Sequence, residues 1–183
     1  VTGTPVIDPV SQTLYVVSKS EDALGGFHQR LHALDLATGN EKFNGPVNIS
    51  ASVSGSGDDA TAGAIAFNAQ TEHQRCALAL VNNVVYISWA AHEDKDPYHG
   101  WIIGYNAATL ARVSAYNATP NGGRGGIWMS GGAPAADSAG NLYFATGNGT
   151  FDGNSGPPPN SDLGDSVISL TTSALTIRDW FTP

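Results

Sequence analysis

The sequence predicts an all-β protein, a β-propeller portion of about three four-stranded antiparallel blades. Three observations lead there. Short runs rich in β-branched and aromatic residues dominate the 183-residue chain. An internal repeat brings the same residue types back at the same spacing. The composition favours strands and tight turns over helices.

The strand-like runs are Thr13–Val17, Cys76–Val81, Val84–Trp89, Trp101–Tyr105 and Asn141–Ala145, with Gly, Asn, Asp or Pro close to most of their ends. The best helix candidate is 58–70, inside the longer stretch 51–70. That stretch is too rich in Gly and Ser to hold a helix, so it is read as a loop with at most one turn.

The repeat sets the architecture. Gly3-Thr-Pro-Val-Ile-Asp8 followed by Thr13-Leu-Tyr15 matches Gly132-Ala-Pro-Ala-Ala-Asp137 followed by Asn141-Leu-Tyr143, and a weaker copy runs from Cys76 to Tyr86. After Tyr15 comes a polar turn, then Arg30–Asp35 and Ala37-Thr-Gly39; after Tyr86 come Gly100–Asn106 and Ala108-Thr-Leu110. Tyr15 to Asp35 and Tyr86 to Asn106 are both 20 residues. After Tyr143 the connection is longer, reaching Ser166–Leu170 and Thr172-Ser-Ala174. Each module reads as strand, tight turn, strand, polar loop, strand, Asx-type turn, strand. The modules are 1–70, 71–127 and 128–183. A ring normally closes with at least four blades, so the chain is expected to belong to a larger propeller or to complete its ring with a second copy.

Charge and composition exclude several classes. Lys+Arg is 8 against 16 Asp+Glu, giving −8. A nucleic-acid groove or a polybasic membrane patch needs clustered cations. The only lysines are Lys19, Lys42 and Lys95, and no apolar run reaches the ~20 residues of a bilayer span. The single Cys76, flanked by Ala77–Leu80, excludes an internal disulfide and reads as a core thiol. No Gly-x-Ser-x-Gly elbow, P-loop or Rossmann fingerprint is present.

The turn Leu34–Gly39 resembles the blade motif of pyrroloquinoline-quinone (PQQ) repeat propellers, the quinoprotein alcohol dehydrogenase-like superfamily. A more specific likeness runs from Gly125-Gly-Ile-Trp-Met-Ser-Gly131 to Asn141–Gly149, with Gly164-Asp-Ser166 after it. It resembles the segment that, in quinoprotein dehydrogenases, carries a Trp beneath the cofactor and a Thr-Gly-Asn turn whose Asn binds the calcium that holds PQQ. The resemblance implies Trp128 as the cofactor-stacking ring and Asn148 as a calcium ligand. Glu93, in the polar loop 91–96, stands as the candidate for the family's ligand Glu, in flanking sequence that departs from the family's pattern. The family's catalytic Asp follows a Thr-Pro turn, and here Thr182-Pro183 ends the sequence; its adjacent cysteines have no counterpart beside the single Cys76. PQQ is a planar tricarboxylate, so its site needs an aromatic floor, oxygen ligands for the cation and cationic partners, for which Arg30, Arg75 and Arg124 are available.

Each of these residues also has a purely structural reading. Trp128 among glycines suits a blade interface, and Asn148 in Gly-Asn-Gly suits a turn needing positive φ. Asn48, Asn117 and Asn148 head N-glycosylation triplets. Asp58-Asp59 and the loop 93–96 are oxygen-rich but lack EF-hand spacing, and read as solvated turns. His28 and His32 lie on a strand pattern, not on a helix face where i,i+4 pairing would form a metal pair; His92 and His99 flank one loop and are placed to meet across it. The leading expectation is a secreted or periplasmic PQQ-like propeller that binds or scaffolds, without catalysis. A part of a PQQ- and calcium-dependent dehydrogenase is the alternative. A propeller lectin, with Trp89, Trp101 or Trp128 stacking on a sugar, is the third.

Overall fold

The computed structural model describes residues 2–153 and 162–183. Among them there is no α-helix, only one 3-10 turn at Met129–Gly131. The first blade comprises β1 (Val6–Asp8), β2 (Thr13–Glu21), β3 (Phe27–Asp35) and β4 (Val47–Asn48), paired in that order. The short β5 (Ser52–Ser54), β6 (Ala64–Ala66) and β7 (Glu72–His73) follow. The second blade is β8 (Ala79–Val81), β9 (Val84–Ala91), β10 (Trp101–Asn106) and β11 (Arg112–Asn117), with β7 added beside the far end of β9. The third is β12 (Ala135–Ala136), β13 (Asn141–Ala145), β14 (Val167–Thr171) and β15 (Ile177–Phe181). All the pairings are antiparallel.

Two details differ from the sequence expectation. The stretch read as a loop contains the β5–β6 hairpin, because Val53 and Ile65 face each other and enter the core while flanking Ser and Ala stay outside. Only one inward residue per strand is large, too weak a period to see among Gly and Ser. The run Cys76–Val81 is a strand only from Ala79. Its first residues bond other blades instead: Leu78 N–H donates to Thr4 O at 3.0 Å and Ala77 N–H to Gly132 O at 3.1 Å. The lead-in segments of all three blades therefore meet.

The middle blade is covered on both faces, which explains why β9 is an almost unbroken apolar run. Val85, Ile87 and Trp89 join Tyr15, Val17 and Leu31 of the first blade in one core. Tyr86, between them, joins Leu142, Phe144 and Ile168 of the third. Cys76 is buried in this second core, its Sγ–H donates to Ile127 O at 2.9 Å, and burial pushes its pKa up to about 12, so it is an inert thiol.

The turns after β3 and β10 are near copies. Asp35 Oδ1 accepts from Ala37 N, Thr38 N and Thr38 Oγ1 at 3.0–3.1 Å. Asn106 Oδ1 accepts from Ala108 N, Thr109 N and Thr109 Oγ1 at 2.9–3.1 Å. In the third blade Thr171 Oγ1 takes over part of this role, accepting from Thr176 N at 3.2 Å. Gly39, Leu110 and Leu175 occupy the same left-handed position, with φ of 73°, 56° and 52°. Asn106→Ala removes the whole side-chain acceptor set and should cost about 1 kcal/mol. Urea unfolding measures this; an unchanged midpoint would assign the turn to backbone bonding alone.

These tight turns, with those at 9–12, 82–83 and 137–140, all lie at one end of the blades. The loops 22–26 and 92–100, the segments 146–153 and 162–166, and the inter-blade connections 49–78 and 118–134 lie at the other. The sequence thus gives the protein one plain face and one elaborated face.

Candidate functional site

The predicted residues Trp128 and Asn148 lie on the long-loop face, around three glycine-rich segments that pack main chain on main chain. Gly147 N–H donates to Gly126 O at 2.8 Å, Gly125 N–H to Asn148 O at 2.9 Å, and Asp165 N–H to Gly147 O at 2.8 Å. Thr146 Oγ1 donates to Leu163 O at 2.7 Å and accepts from Ser166 N at 3.0 Å, fixing the turn from below. The half-buried Trp128 lies edge-on against this turn: a Cβ at Gly147 would sit 3.0 Å from its Cδ1 and Nε1, and one at Gly126 3.1 Å from Nε1. The glycines therefore make room for the indole. Asn148 is exposed and lines a polar cleft of about 500 Å³ with Asp58, Gly123, Arg124, Thr150 and Asp165.

Glu93 lies elsewhere. It is exposed at φ 60° and lines a neighbouring cleft of about 440 Å³ with Lys19, Phe27, His92 and Lys95. The boundary between the two clefts is an ion pair, Arg124 Nε to Asp96 Oδ1 at 2.9 Å and Nη2 to Oδ2 at 2.5 Å. The structure thus brings Trp128 and Asn148 to one turn and leaves Glu93 in a different cleft. Among the described residues, no three His, Cys, Asp or Glu come together as a metal-holding group. No helix among them is long and apolar enough to cross a membrane.

A third cleft of about 330 Å³, at the seam of the first two blades, shares Lys19, Phe27 and His92 and adds Gln29, His73 and Gln74. Lys19 Nζ donates to Gln70 O at 2.6 Å and stands 5.5 Å from the Phe27 ring centre; burial lowers its pKa. Lys42 donates to Ser11 O at 2.6 Å, whereas Lys95 is exposed. His92 meets His73, with ring centres 5.2 Å apart, and does not meet His99. The expected His92–His99 meeting fails because β7 pairs with the end of β9 and carries His73 there. His99 is buried, with Nδ1 on Thr119 Oγ1 at 3.1 Å and Nε2 on Asp58 O at 2.9 Å. The loop residues read as solvated turns are indeed largely at the surface. Arg30, offered as a possible anion partner, instead bonds Ser20 Oγ at 2.8 Å. Trp89 and Trp101 are fully buried, so neither offers a stacking face to a sugar.

Sequence reasoning passed over Glu72. This carboxyl is buried between blades; Oε1 accepts from His99 N at 3.1 Å, while Oε2 and the nearby Trp101 Nε1 lack a partner at hydrogen-bond geometry. Burial raises its pKa well above the ordinary 4.5, against smaller lowering by the His99 N–H, Lys19 and the Trp101 indole. The folded state then keeps a proton that the unfolded chain gives up above about 4.5. Stability from this group is highest below that pH and falls as pH rises toward the folded pKa. Glu72→Gln should flatten this fall, stabilising the protein at pH 8 relative to wild type and little at pH 4. Thermal melts across that range test it; identical slopes would reject a protonated Glu72. A period-two run of only two residues left β7 without a signal in the sequence.

Blade packing, the meeting lead-ins and the two-faced loop arrangement define the chain as a portion of a β-propeller. A solved structure similar to it is the quinohemoprotein alcohol dehydrogenase ADHIIG from Pseudomonas putida HK5, with a TM-score of 0.61 and 17% identity, over 93% of this chain and 25% of that one. The chain thus spans about a quarter of that protein's length, and the likeness is one of fold. No protein-family model matches the chain, and no curated protein matches it.

Proposed function

We propose that the chain is a non-catalytic, ligand-binding or scaffold portion of a PQQ-like propeller, with its site on the long-loop face. The observation that carries this reading is the polar cleft of about 500 Å³, where the exposed Arg124, Asn148, Thr150, Asp58 and Asp165 stand around Gly122, Gly123 and Gly149. Such a cleft offers donors and acceptors of both signs to a small polar ligand, and its floor is held by backbone bonds between three loops. Arg124 is oriented by a two-point ion pair with Asp96.

The dehydrogenase alternative is supported by the distant fold likeness and by the Trp128–Asn148 turn. Fit to the cofactor fails at the third group. Glu93 lines the cleft beyond the Arg124–Asp96 pair, so of the three residues the resemblance assigns only Trp128 and Asn148 meet at this turn, and no step of a redox mechanism is assigned to them. The lectin alternative rests on Trp128 alone.

Titration with PQQ and calcium, followed by tryptophan fluorescence, separates the readings. The expected result is no submicromolar quenching, and no reduction of a redox dye with ethanol or glucose. Calcium-dependent quenching lost in Trp128→Ala, with dye turnover, would replace the binding module by the dehydrogenase. A glycan array probed with wild type and Asn148→Ala tests the cleft itself: a ligand retained by the first and lost by the second supports the proposal.

A further inference from the structure

Three of the five histidines have their ring nitrogens bound. His28 is held by Asp22, His32 by Ser18 and Glu41, and His99 by Thr119 and the Asp58 carbonyl. The ring nitrogens of His73 and His92 make no hydrogen bond among the described residues, and these two rings stand together, centre to centre at 5.2 Å with their planes crossed at 75°.

The pairing of β7 with β9 fixes them. His73 lies opposite Ala90, and His92 N–H donates to Thr71 O at 2.8 Å, which carries the ladder past the Glu72–Ala91 pair. His92 is two residues beyond Ala90, so it is the diagonal neighbour of His73 on one face of the sheet. Diagonal neighbours are about 7–8 Å apart, within reach of two converging imidazoles. Both belong to the second blade, which has a blade packed on either face.

Two imidazoles on one tetrahedral ion, with nitrogen–metal bonds of about 2.0–2.1 Å, have ring centres roughly 5 Å apart. An edge-on aromatic pair covers the same distance; the free nitrogens, which the other three histidines lack, distinguish a pair of ligands. The charges nearby select the kind of ion. Glu21 is the one carboxylate among the described residues lining the cleft, and Lys19 and Arg75 act on His73 as neighbouring cations. A hard cation such as Ca²⁺ or Mg²⁺ finds too few oxygens there. A late first-row ion is held by imidazole lone pairs and needs no surrounding negative charge.

We propose that His73 and His92 bind a late first-row divalent ion of the Zn²⁺ or Cu²⁺ kind, its remaining positions facing the cleft of about 330 Å³ at the first blade seam. The ion ties the connection 49–78, which carries His73, to the loop 92–100, which begins at His92. Water or a small anion beside Lys19 completes its shell. The site is independent of the polar cleft around Asn148.

Isothermal titration of the tag-free protein with zinc chloride tests this. One ion should bind per chain with a Kd of roughly 1–100 micromolar, as suits two protein ligands in place of four. His73→Gln and His92→Gln should each weaken binding about tenfold or more, with folding checked by circular dichroism, while His28→Gln leaves it unchanged. Calcium in about a hundredfold excess should not displace the zinc. Long-range nitrogen NMR needs no variant: zinc should shift the ring signals of His73 and His92 and leave those of His28, His32 and His99 in place. Unmoved His73 and His92 signals at roughly millimolar zinc, or zinc affinity unchanged in both Gln variants, would overturn the proposal.

Discussion

Trp89→Ala should come close to unfolding the protein, at a cost of about 3–5 kcal/mol. The indole is fully buried at the first blade seam, its ring meets Phe67 edge-on at 4.9 Å, and Nε1 donates to Gln29 Oε1 at 2.8 Å. Truncation leaves a cavity that the flanking strands cannot close, because Ala90 and Ser88 beside it face the other blade. It also strands the Gln29 oxygen in an apolar seam, adding the cost of an unpaired acceptor. Trp89→Phe keeps most of the volume and loses the donor, so it should cost distinctly less. Urea unfolding of the pair separates packing from hydrogen bonding; equal losses for both would mean that the bond, not the volume, dominates.

Gly100→Ala should be nearly as damaging, about 3 kcal/mol, although it adds a single methyl. A Cβ there would overlap Gly125 O and stand 2.9 Å from Gly125 C, main-chain atoms held on both sides. Gly100 N–H donates to Arg124 O at 3.1 Å and its carbonyl accepts from Ala118 N at 2.8 Å, so neither segment can retreat without breaking that lattice. Gly63→Ala is the control. Nothing lies within 4 Å of its Cβ and only a φ of 79° resists the change, so about 1 kcal/mol is expected. Thermal melts rank the two. A Gly100→Ala no worse than Gly63→Ala would show that the loops 98–100 and 122–126 part easily.

The three-blade plan was legible because the repeat writes the same side-chain chemistry into each turn: Asp35 and Asn106 bind their turns alike, and Tyr15 and Tyr86 are interchangeable in role. Sandwiching of the second blade was legible only as an unbroken apolar run. What escaped notice were contacts made by position and not by type. Val53 and Ile65 form a hairpin too short to show a period, and β7 brings His73 to His92 across 19 residues of chain. Glu72 could not be read as buried, since the sequence places it between an Asn/Gln/Thr turn and two basic-leaning residues, the surroundings of a surface loop. At the candidate site, the glycines around Trp128 signalled close main-chain packing, but which cleft Glu93 would line depended on the Arg124–Asp96 pair, a contact 28 positions apart.

The scarcity of lysine gives the protein a built-in address for chemical tagging. Of its three side-chain amines, Lys19 is partly desolvated and bound to the Gln70 carbonyl, and Lys42 is bound to that of Ser11. Lys95 alone stands exposed on the elaborated face, at the rim of a cleft and next to the aspartate that orients Arg124. Among the lysines, a fluorophore ester under mild conditions will therefore settle there first. A dye so attached sits where a ligand entering either neighbouring cleft would disturb its emission.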